Sequence, residues 1–183
     1  MKGGAAIWSV TLHQMAIAKD TVFVPDPADS RRYRHALGAF STGVTVVTLR
    51  GDAGPQGMTV NSFASVSLDP PLVLWSPAKT SRRHDLFAGA GHFAIHVLKA
   101  DQHDLSARFT GGGPGFAGLS HHLNDEGVPV LEGTLARFEC ARAEAHDAGD
   151  HTIVLGRVLR AAHGEGEPLI FSRGAFGRFA RCG

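Results

Sequence analysis

Frequent glycine and proline residues divide this chain into short segments. Its 183 residues include 23 glycines and nine prolines, and a typical protein has only roughly 7% glycine. Turns that join short strands are typical of such a chain, whereas a helical bundle needs long uninterrupted segments. Because 43% of the residues are hydrophobic and 19% are charged, the composition indicates a folded domain rather than a disordered one. We therefore expect a compact, strand-rich domain.

The charge balance and the cysteine content argue against several classes of partner and location. Eighteen basic and 17 acidic residues give a net charge of +1, which predicts no nucleic-acid binding. No run approaches the roughly 20 apolar residues of a membrane-spanning helix, so we expect no membrane association. The apolar run from Ala5 to Val10 resembles a signal peptide only loosely, because polar residues soon follow it. Cys140 and Cys182 form no CxxC pair, which favours a reducing, cytoplasmic setting.

The sequence divides into an N-terminal arm and one domain. Residues 1–28 lack a clear periodicity and end at Pro25-Asp26-Pro27, so we predict an arm there and a single domain over residues 29–183. β-branched or alternating runs predict strands at the following places. They are Val44–Leu49, Met58–Ser67, Leu72–Trp75, His92–Leu98, Thr134–Arg142, Thr152–Ala161, Leu169–Phe171 and Phe176–Phe179. The pair of runs after residue 133 predicts a long hairpin, in which Phe138 and Cys140 face one way and Glu139 the other.

Short helices are expected at the connections between these strands. The first begins at Asp29 or Ser30 and ends at Gly43, with an apolar stripe formed by Tyr33, Ala36, Leu37 and Phe40. The second begins at Thr80 or Ser81 and runs through Phe87, and the third begins at Asp101. A strand-dominated chain with short connecting helices predicts a closed or partly open β-barrel rather than a βαβ sheet.

The motifs of nucleotide-binding α/β folds and of serine hydrolases are missing from the sequence. No GxGxxG follows a predicted strand, and the chain has no GxxxxGK[ST]. None of the serines lies in a GxSxG elbow. Both Rossmann and P-loop readings therefore fail.

The segment from Met58 to Ser67 is unusually rich in uncharged polar side chains. Such groups cost on the order of 1–3 kcal/mol each when they are buried in a strand without a partner. Asn61 and Ser62 are expected in the middle of this strand, where asparagine is unfavourable. An exposed strand face is the simpler explanation, but a row of donors and acceptors also suits a polyol chain or the polar edge of a ring. The members of this row are Thr59, Asn61, Ser62, Ser65 and Ser67.

Two further segments combine residues that bind charged ligands. Lys79-Thr80-Ser81-Arg82-Arg83 places two hydroxyls and three cations at a predicted helix start, which suits a phosphate. Gly149-Asp150-His151 places a histidine beside a carboxylate in a turn, so the imidazole can be oriented toward a ligand. A plain N-cap and an ordinary surface turn explain the same two segments without any ligand.

Taken in order, these blocks resemble the flavin reductase-like family of FMN-binding split barrels, which supply reduced flavin to two-component monooxygenases. The resemblance covers roughly residues 30–180, and its most specific part is the central segment through Pro71. The matching blocks are residues 40–48, 57–74, 80–81, 93–98 and 148–156, together with Leu105 and Arg108-Phe109. His96 is a departure, since relatives often have asparagine there.

The resemblance implies a mainly β, Greek-key split barrel that works as a homodimer, with flavin bound near the subunit interface. It implies that seven residues line the flavin ring and ribityl chain: Thr59, Val60, Asn61, Ser62, Ser65, Val66 and Ser67. Lys79 and Ser81, with Arg82 or Arg83, are then expected to bind the phosphate, and Phe109 to pack nearby. His151, aided by Asp150, inherits the place beside the nicotinamide and is the expected catalytic residue.

The function implied is an NAD(P)H-dependent flavin reductase of the EC 1.5.1 type, serving a partner monooxygenase. The sequence does not separate FMN from FAD, or NADH from NADPH. One alternative is a flavin- or haem-binding protein of the same fold without turnover. Another is a metal enzyme that uses His146, Asp150 and His151, with His121 or His122 as a further candidate ligand. We expect no metal, because adjacent Asp150 and His151 on an extended segment should point to opposite sides.

Overall fold

The computed structural model describes residues 21–111, 113 and 115–181. Within these ranges it contains three helices: α1 (Arg31–Leu37), α2 (His84–Gly89) and α3 (His103–Phe109). The first six strands are β1 (Thr42–Gly43), β2 (Thr45–Gly51), β3 (Gly54–Val60), β4 (Ala64–Leu68), β5 (Pro71–Trp75) and β6 (His92–Val97). The other six are β7 (His122–Leu123), β8 (Pro129–Val130), β9 (Ala136–Ala148), β10 (His151–His163), β11 (Leu169–Ser172) and β12 (Ala175–Arg178).

Seven of these strands form one antiparallel sheet in the order β3-β2-β6-β9-β10-β5-β4. Its two edge strands, β3 and β4, follow each other in the chain with only Asn61, Ser62 and Phe63 between them. A link of this length spans at most about 14 Å, so the two edges must come together at one end. The sheet therefore rolls into a barrel with an open seam. This confirms the mainly β split barrel with short helices at its connections.

The interior of the barrel is an apolar core. Alternate residues of each strand point inward, and Val47, Trp75, Phe93 and Val154 are all buried there. Phe87 of α2 is also fully buried and meets the edge of Trp75, with ring centroids 6.0 Å apart. α2 therefore closes one end of the barrel.

A second core covers the outer face of β2. Val46, Leu98 and Leu169 pack there with Phe109 of α3 and with Leu131. Gly57 of β3 makes this packing possible, because a Cβ atom at that position would overlap the Phe109 ring. As a result, α3 lies directly against β3, next to the seam.

His96 lies within this outer layer and is completely buried. Its Nδ1 lies 3.1 Å from the carbonyl oxygen of Val46, and its Nε2 accepts the N–H of Leu131 at 3.0 Å. Burial lowers the pKa of His96 to about 4. His96, which replaces the asparagine often found in relatives, is therefore a neutral histidine that connects the backbone at Val46 to the backbone at Leu131.

The long hairpin predicted near the C-terminal end is confirmed and extends further than expected, since β9 and β10 each have 13 residues. The expected outward position of Glu139 does not leave it in solvent, because it is 4% exposed. Its carboxylate lies 2.8 Å from Nε of Arg160 and 2.8 Å from Nδ2 of Asn124, and 3.0 Å from Nε of Arg137. The alternation of residues along β9 could not show that Asn124 and Arg160, which lie 15 and 21 positions away, cover the face on which Glu139 lies.

All three predicted helices begin or end elsewhere. α1 ends at Leu37 instead of Gly43, because Thr42 and Gly43 pair with β11. α2 begins at His84 and not at Thr80 or Ser81, because residues 78–81 form a turn. α3 begins at His103 and not at Asp101, because Ala100 and Asp101 lie in a turn in which the N–H of Gln102 donates to the carbonyl oxygen of Lys99. Residues 1–20 of the predicted arm, and Cys182, lie outside the described residues. No helix in the described part of the chain is long and apolar enough to cross a membrane.

Candidate functional site

The open seam of the barrel carries the polar segment that the sequence singled out. The prediction that Asn61 and Ser62 lie in mid-strand is wrong, because they form the link between β3 and β4. β4 pairs only with β5 within the described chain, so its other edge offers backbone N–H and C=O groups to a ligand. The polar residues therefore lie where the sheet is open and not inside it.

Two hydroxyls of this segment hold the fold together. Oγ of Ser62 accepts the N–H of Ser76 at 2.9 Å and donates to the carbonyl oxygen of the same residue at 3.1 Å. Oγ1 of Thr59 donates to the carbonyl oxygen of Ser106 in α3 at 2.6 Å. These bonds fasten the seam to the end of β5 and to α3, respectively. Any contact of Ser62 or Thr59 with a flavin has to coexist with them.

The other polar side chains of the segment are not engaged. Asn61, Ser65 and Ser67 form no side-chain hydrogen bond to the residues that the structure describes. A bulge in β4 pairs Ser65 with Val73 and Ser67 with Leu72, and consecutive residues of β5 face opposite sides. The two serines therefore point to different faces, and the expected single row is divided. Val60 packs against the inner core, and Val66 is exposed at the bulge.

Considering residues 21–111, 113 and 115–181, one cation of the predicted phosphate segment has no protein partner for its side chain and two are engaged. Nζ of Lys79 lies 2.7 Å from Oδ2 of Asp147 and donates to the carbonyl oxygen of Gly149 at 2.6 Å. The guanidinium of Arg83 donates to the carbonyl oxygens of Gly57 and Phe109. Arg82 is exposed and makes no side-chain contact of this kind within the described residues.

Two other members of the expected phosphate site also have local roles. Oγ of Ser81 accepts the N–H of Arg83 at 3.3 Å. The Phe109 ring is only 1% exposed, so it supports the site from inside the outer core and has almost no surface for a ligand. Its carbonyl group, bonded to Arg83, links α3 to the residues just before α2.

Backbone pairing brings the phosphate segment and the Gly149-Asp150-His151 turn together. Ala78 forms a bridge with His151, and the N–H of Lys79 donates to the carbonyl oxygen of Asp150 at 2.8 Å. The N–H of Thr152 donates to the carbonyl oxygen of Pro77 at 3.1 Å. Since Ser62 is bonded to Ser76, the seam lies about two strand spacings, or roughly 10 Å, from the start of β10. All three segments thus meet around one end of β5.

His151 is held by its neighbour in the turn. Its Nδ1 lies 2.7 Å from Oδ1 of Asp150, and its side chain is 42% exposed. The hydrogen bond and the charge of His151 lower the pKa of Asp150. In the tautomer that carries its proton on Nδ1, the imidazole donates to this carboxylate and presents Nε2 to the outside as an acceptor.

This contact contradicts the argument that the Asp150 and His151 side chains diverge, because Gly149, with a φ of +68°, turns the chain just before them. Within the described residues, no three histidine, cysteine or carboxylate side chains are grouped so that they could hold a metal ion.

The sequence analysis did not identify His84, whose Nε2 lies 2.9 Å from Oγ1 of Thr152. Its only local signal is the adjacent Asp85.

Comparison with known proteins gives the same family as the sequence blocks. The flavin reductase like domain matches residues 37–180. An FMN reductase (NADH) of Agrobacterium fabrum, SmoA, is 71% identical over 160 residues, which cover 87% of this chain and 92% of that protein. The HsaB reductase subunit of a flavin-dependent monooxygenase from Rhodococcus jostii is 40% identical, covering 87% of this chain and 83% of that protein.

A solved structure shows the same fold. The NADH:FAD oxidoreductase of Streptomyces globisporus, in complex with NAD and FAD fragments, is 41% identical to this chain with a TM-score of 0.79. The match covers 87% of this chain and 98% of that one. The open seam, the Gly-Asp-His turn and these matches lead to one conclusion: this chain belongs to the flavin reductase-like family.

Proposed function

We propose that this protein is an NADH-dependent flavin reductase of the EC 1.5.1 type that supplies reduced FMN or FAD to a partner monooxygenase. The observation that carries the proposal is the meeting of the open seam, the segment from Lys79 to Arg83 and the Gly149-Asp150-His151 turn around one end of β5. The names of the relatives support both the flavin and NADH as reactants. The HsaB relative supports a monooxygenase as the recipient.

The residues at the seam fit a flavin. The pyrimidine edge of an isoalloxazine ring presents alternating donors and acceptors, and the unpaired edge of β4 presents the same alternation of N–H and C=O groups. Asn61 adds a donor and an acceptor, Ser65 and Ser67 add hydroxyls, and Arg82 adds a free cation for a phosphate. Neutral contacts, and one cation without a protein partner among the described residues of the Lys79–Arg83 segment, suit a ligand that must also leave.

The cofactors supply the redox chemistry, since a bound flavin accepts a hydride at N5 from C4 of the nicotinamide. The protein has to hold two planar rings close together and keep water away from them. In our proposal the β4 edge and Asn61 orient the flavin ring. His151, oriented by Asp150, contacts the nicotinamide side through Nε2. No acid–base pair is required for these tasks.

We also propose that the functional unit is a homodimer in a reducing, cytoplasmic setting. Tyr33, Leu37 and Phe40 of the α1 region leave large apolar surfaces exposed in the single chain, as does Leu68 beside the seam. A second copy that covers these surfaces would also shield a flavin at the seam from water. Cys140 is a free, buried cysteine, consistent with a reducing compartment. Sedimentation measurements on the purified protein test the dimer.

The enzymatic proposal is tested by mixing the protein anaerobically with FMN or FAD and with NADH or NADPH. We expect loss of the nicotinamide absorption band together with bleaching of the flavin, faster with NADH. Gel filtration of the mixture should separate most of the reduced flavin from the protein. Tightly retained flavin would argue against delivery. Binding of flavin or haem without any oxidation of NADH would favour the non-catalytic alternative.

A further inference from the structure

A second histidine, His84, lies beside the turn that carries His151, and both of its ring nitrogens are engaged. Nδ1 lies 2.8 Å from Oδ1 of Asp85, and Nε2 lies 2.9 Å from Oγ1 of Thr152. The His84 side chain is only 16% exposed. Since α2 begins at His84 and β10 begins at His151, this contact connects the first turn of a helix to the start of a strand.

The pattern of donors and acceptors fixes how this contact works. An ionised Asp85 can only accept, so a neutral His84 carries its proton on Nδ1 and its Nε2 accepts the hydroxyl proton of Thr152. Threonine is β-branched, so a fixed Oγ1 also fixes the χ1 angle of Thr152. The backbone N–H of Thr152 is bonded to Pro77 as well. The residue that follows His151 is therefore held through both its side chain and its backbone.

His151 itself has a weaker anchor. Among the residues that the structure describes, Asp150 is the only one whose side chain is bonded to this ring, and that side chain is 87% exposed. Exposed ion pairs of this type contribute little on their own. The position of the imidazole therefore depends on the backbone on either side of it. Lys79 holds that backbone at Gly149, and His84 holds it at Thr152.

We propose that His84 is a positioning residue for His151, acting through the hydroxyl of Thr152 to place the imidazole where a nicotinamide binds. This inference rests on the proposed function. His84 is not a catalytic residue, because its ring nitrogens contact Asp85 and Thr152 and not the space in front of Nε2 of His151. The competing explanation is that the hydrogen bond between His84 and Thr152 contributes only to the stability of the fold.

The kinetic test uses a set of variants on the full-length protein. His84→Ala and Thr152→Val should each raise the KM for NADH about 5- to 10-fold while kcat changes less than about 2-fold. The double variant should be no worse than either single one, because both remove the same hydrogen bond. His84→Gln should recover most of the affinity, since its side-chain amide can bond to the same hydroxyl.

The chain supplies a matched control. His103-Asp104-Leu105 repeats the sequence of His84-Asp85-Leu86 in the first turn of α3. The His103 ring packs against Phe176 of β12, with ring centroids 4.5 Å apart. His103→Ala should therefore leave the KM for NADH unchanged, whatever it does to the melting temperature.

A second readout does not depend on activity. In nitrogen NMR spectra of the protein without flavin or NADH, His84 should show the Nδ1–H tautomer, and Thr152→Val should shift the ring resonances of His151. A lower melting temperature with an unchanged KM and unchanged His151 resonances would overturn the proposal, as would additive effects in the double variant. If the wild-type protein fails to oxidise NADH with either flavin, the proposed function is wrong, and the NMR arm alone still decides whether His84 positions His151.

Discussion

Nζ of Lys79 lies 2.7 Å from Oδ2 of Asp147, across the turn that carries His151. The same ammonium group donates to the carbonyl oxygen of Gly149. The hydrogen bond from Lys79 to Asp147 and the charge of Lys79 lower the pKa of Asp147. A residue expected to bind a phosphate thus fixes the turn that carries His151 instead. In the part of the chain that the structure describes, Arg82 is the cation of this segment whose side chain has no protein partner, so we propose it as the phosphate ligand.

Because Lys79 is bonded to protein groups and Arg82 is exposed, we expect Arg82 and not Lys79 to distinguish FMN from riboflavin, which has no phosphate. Arg82→Gln should raise the KM for FMN about 10-fold and leave the KM for riboflavin unchanged, because one charge-assisted hydrogen bond is lost. Lys79→Gln should change the ratio of the two KM values by less than about 3-fold. Steady-state kinetics with both flavins measure this, and loss of FMN preference in the Lys79 variant would identify Lys79 as a phosphate ligand.

The second prediction concerns His151. His151→Ala should lower kcat/KM for NADH by roughly 10- to 100-fold, or about 1.4–2.7 kcal/mol, with little change in the KM for flavin. His163, the exposed last residue of the same strand, provides the control, and His163→Ala should behave as wild type. Unchanged kinetics in the His151 variant would remove this residue from the mechanism.

The third prediction is a pH dependence of stability caused by His96. The folded protein keeps His96 neutral down to a pKa of about 4, whereas the unfolded chain binds the proton near 6.5. The unfolded state therefore binds more protons between these values, so the free energy of unfolding falls as the pH falls from 6.5 to 4. The full loss is roughly 3 kcal/mol.

Urea unfolding at pH 7 and pH 4.5 measures this effect. His96→Gln keeps one donor and one acceptor but cannot titrate, so it should show a smaller loss of stability over this range. An equal loss in the variant and in the wild type would show that other groups cause the pH dependence.

The fourth prediction tests the packing of α3 against β3. Gly57→Ala should lower the free energy of unfolding by about 1–3 kcal/mol, because the new Cβ would displace the buried Phe109 ring. Gly43→Ala is the control, since a Cβ there meets no atom within 4 Å. Urea unfolding of both variants provides the comparison, and equal stabilities would show that the Phe109 ring moves aside without cost.

Most of the fold followed from local patterns in the sequence. The β-branched run after Gly43 and the alternation in the last third predicted β2 and the β9–β10 hairpin, because strand formation depends on residues that are close in the chain. The break at Asn61 and Ser62 was not predictable in this way, since the flanking runs look continuous. The break is required only because β3 and β4 lie at opposite edges of one sheet, which is a feature of the tertiary structure.

The sequence predicted segments that the structure brings together around one end of β5, but it could not show which of their side chains are bonded to other parts of the protein. The sequence placed Lys79, Arg83 and Ser62 among the ligands of a flavin. The structure gives them bonds to Asp147, Gly57 and Ser76, which lie 68, 26 and 14 positions away in the chain. His84 could not be identified, because its partner Thr152 is also 68 positions away.

By itself, the sequence determined where most of the strands lie, apart from the break at Asn61 and Ser62, and the order of the polar motifs that characterise the family. The tertiary structure alone decided which polar groups remain available to a ligand. The physical reason is that a hydrogen-bonding group is free only when no distant segment satisfies it, and the rolled sheet selects those distant segments. Asn61 and Arg82 remain available for this reason, and Lys79 and Arg83 do not.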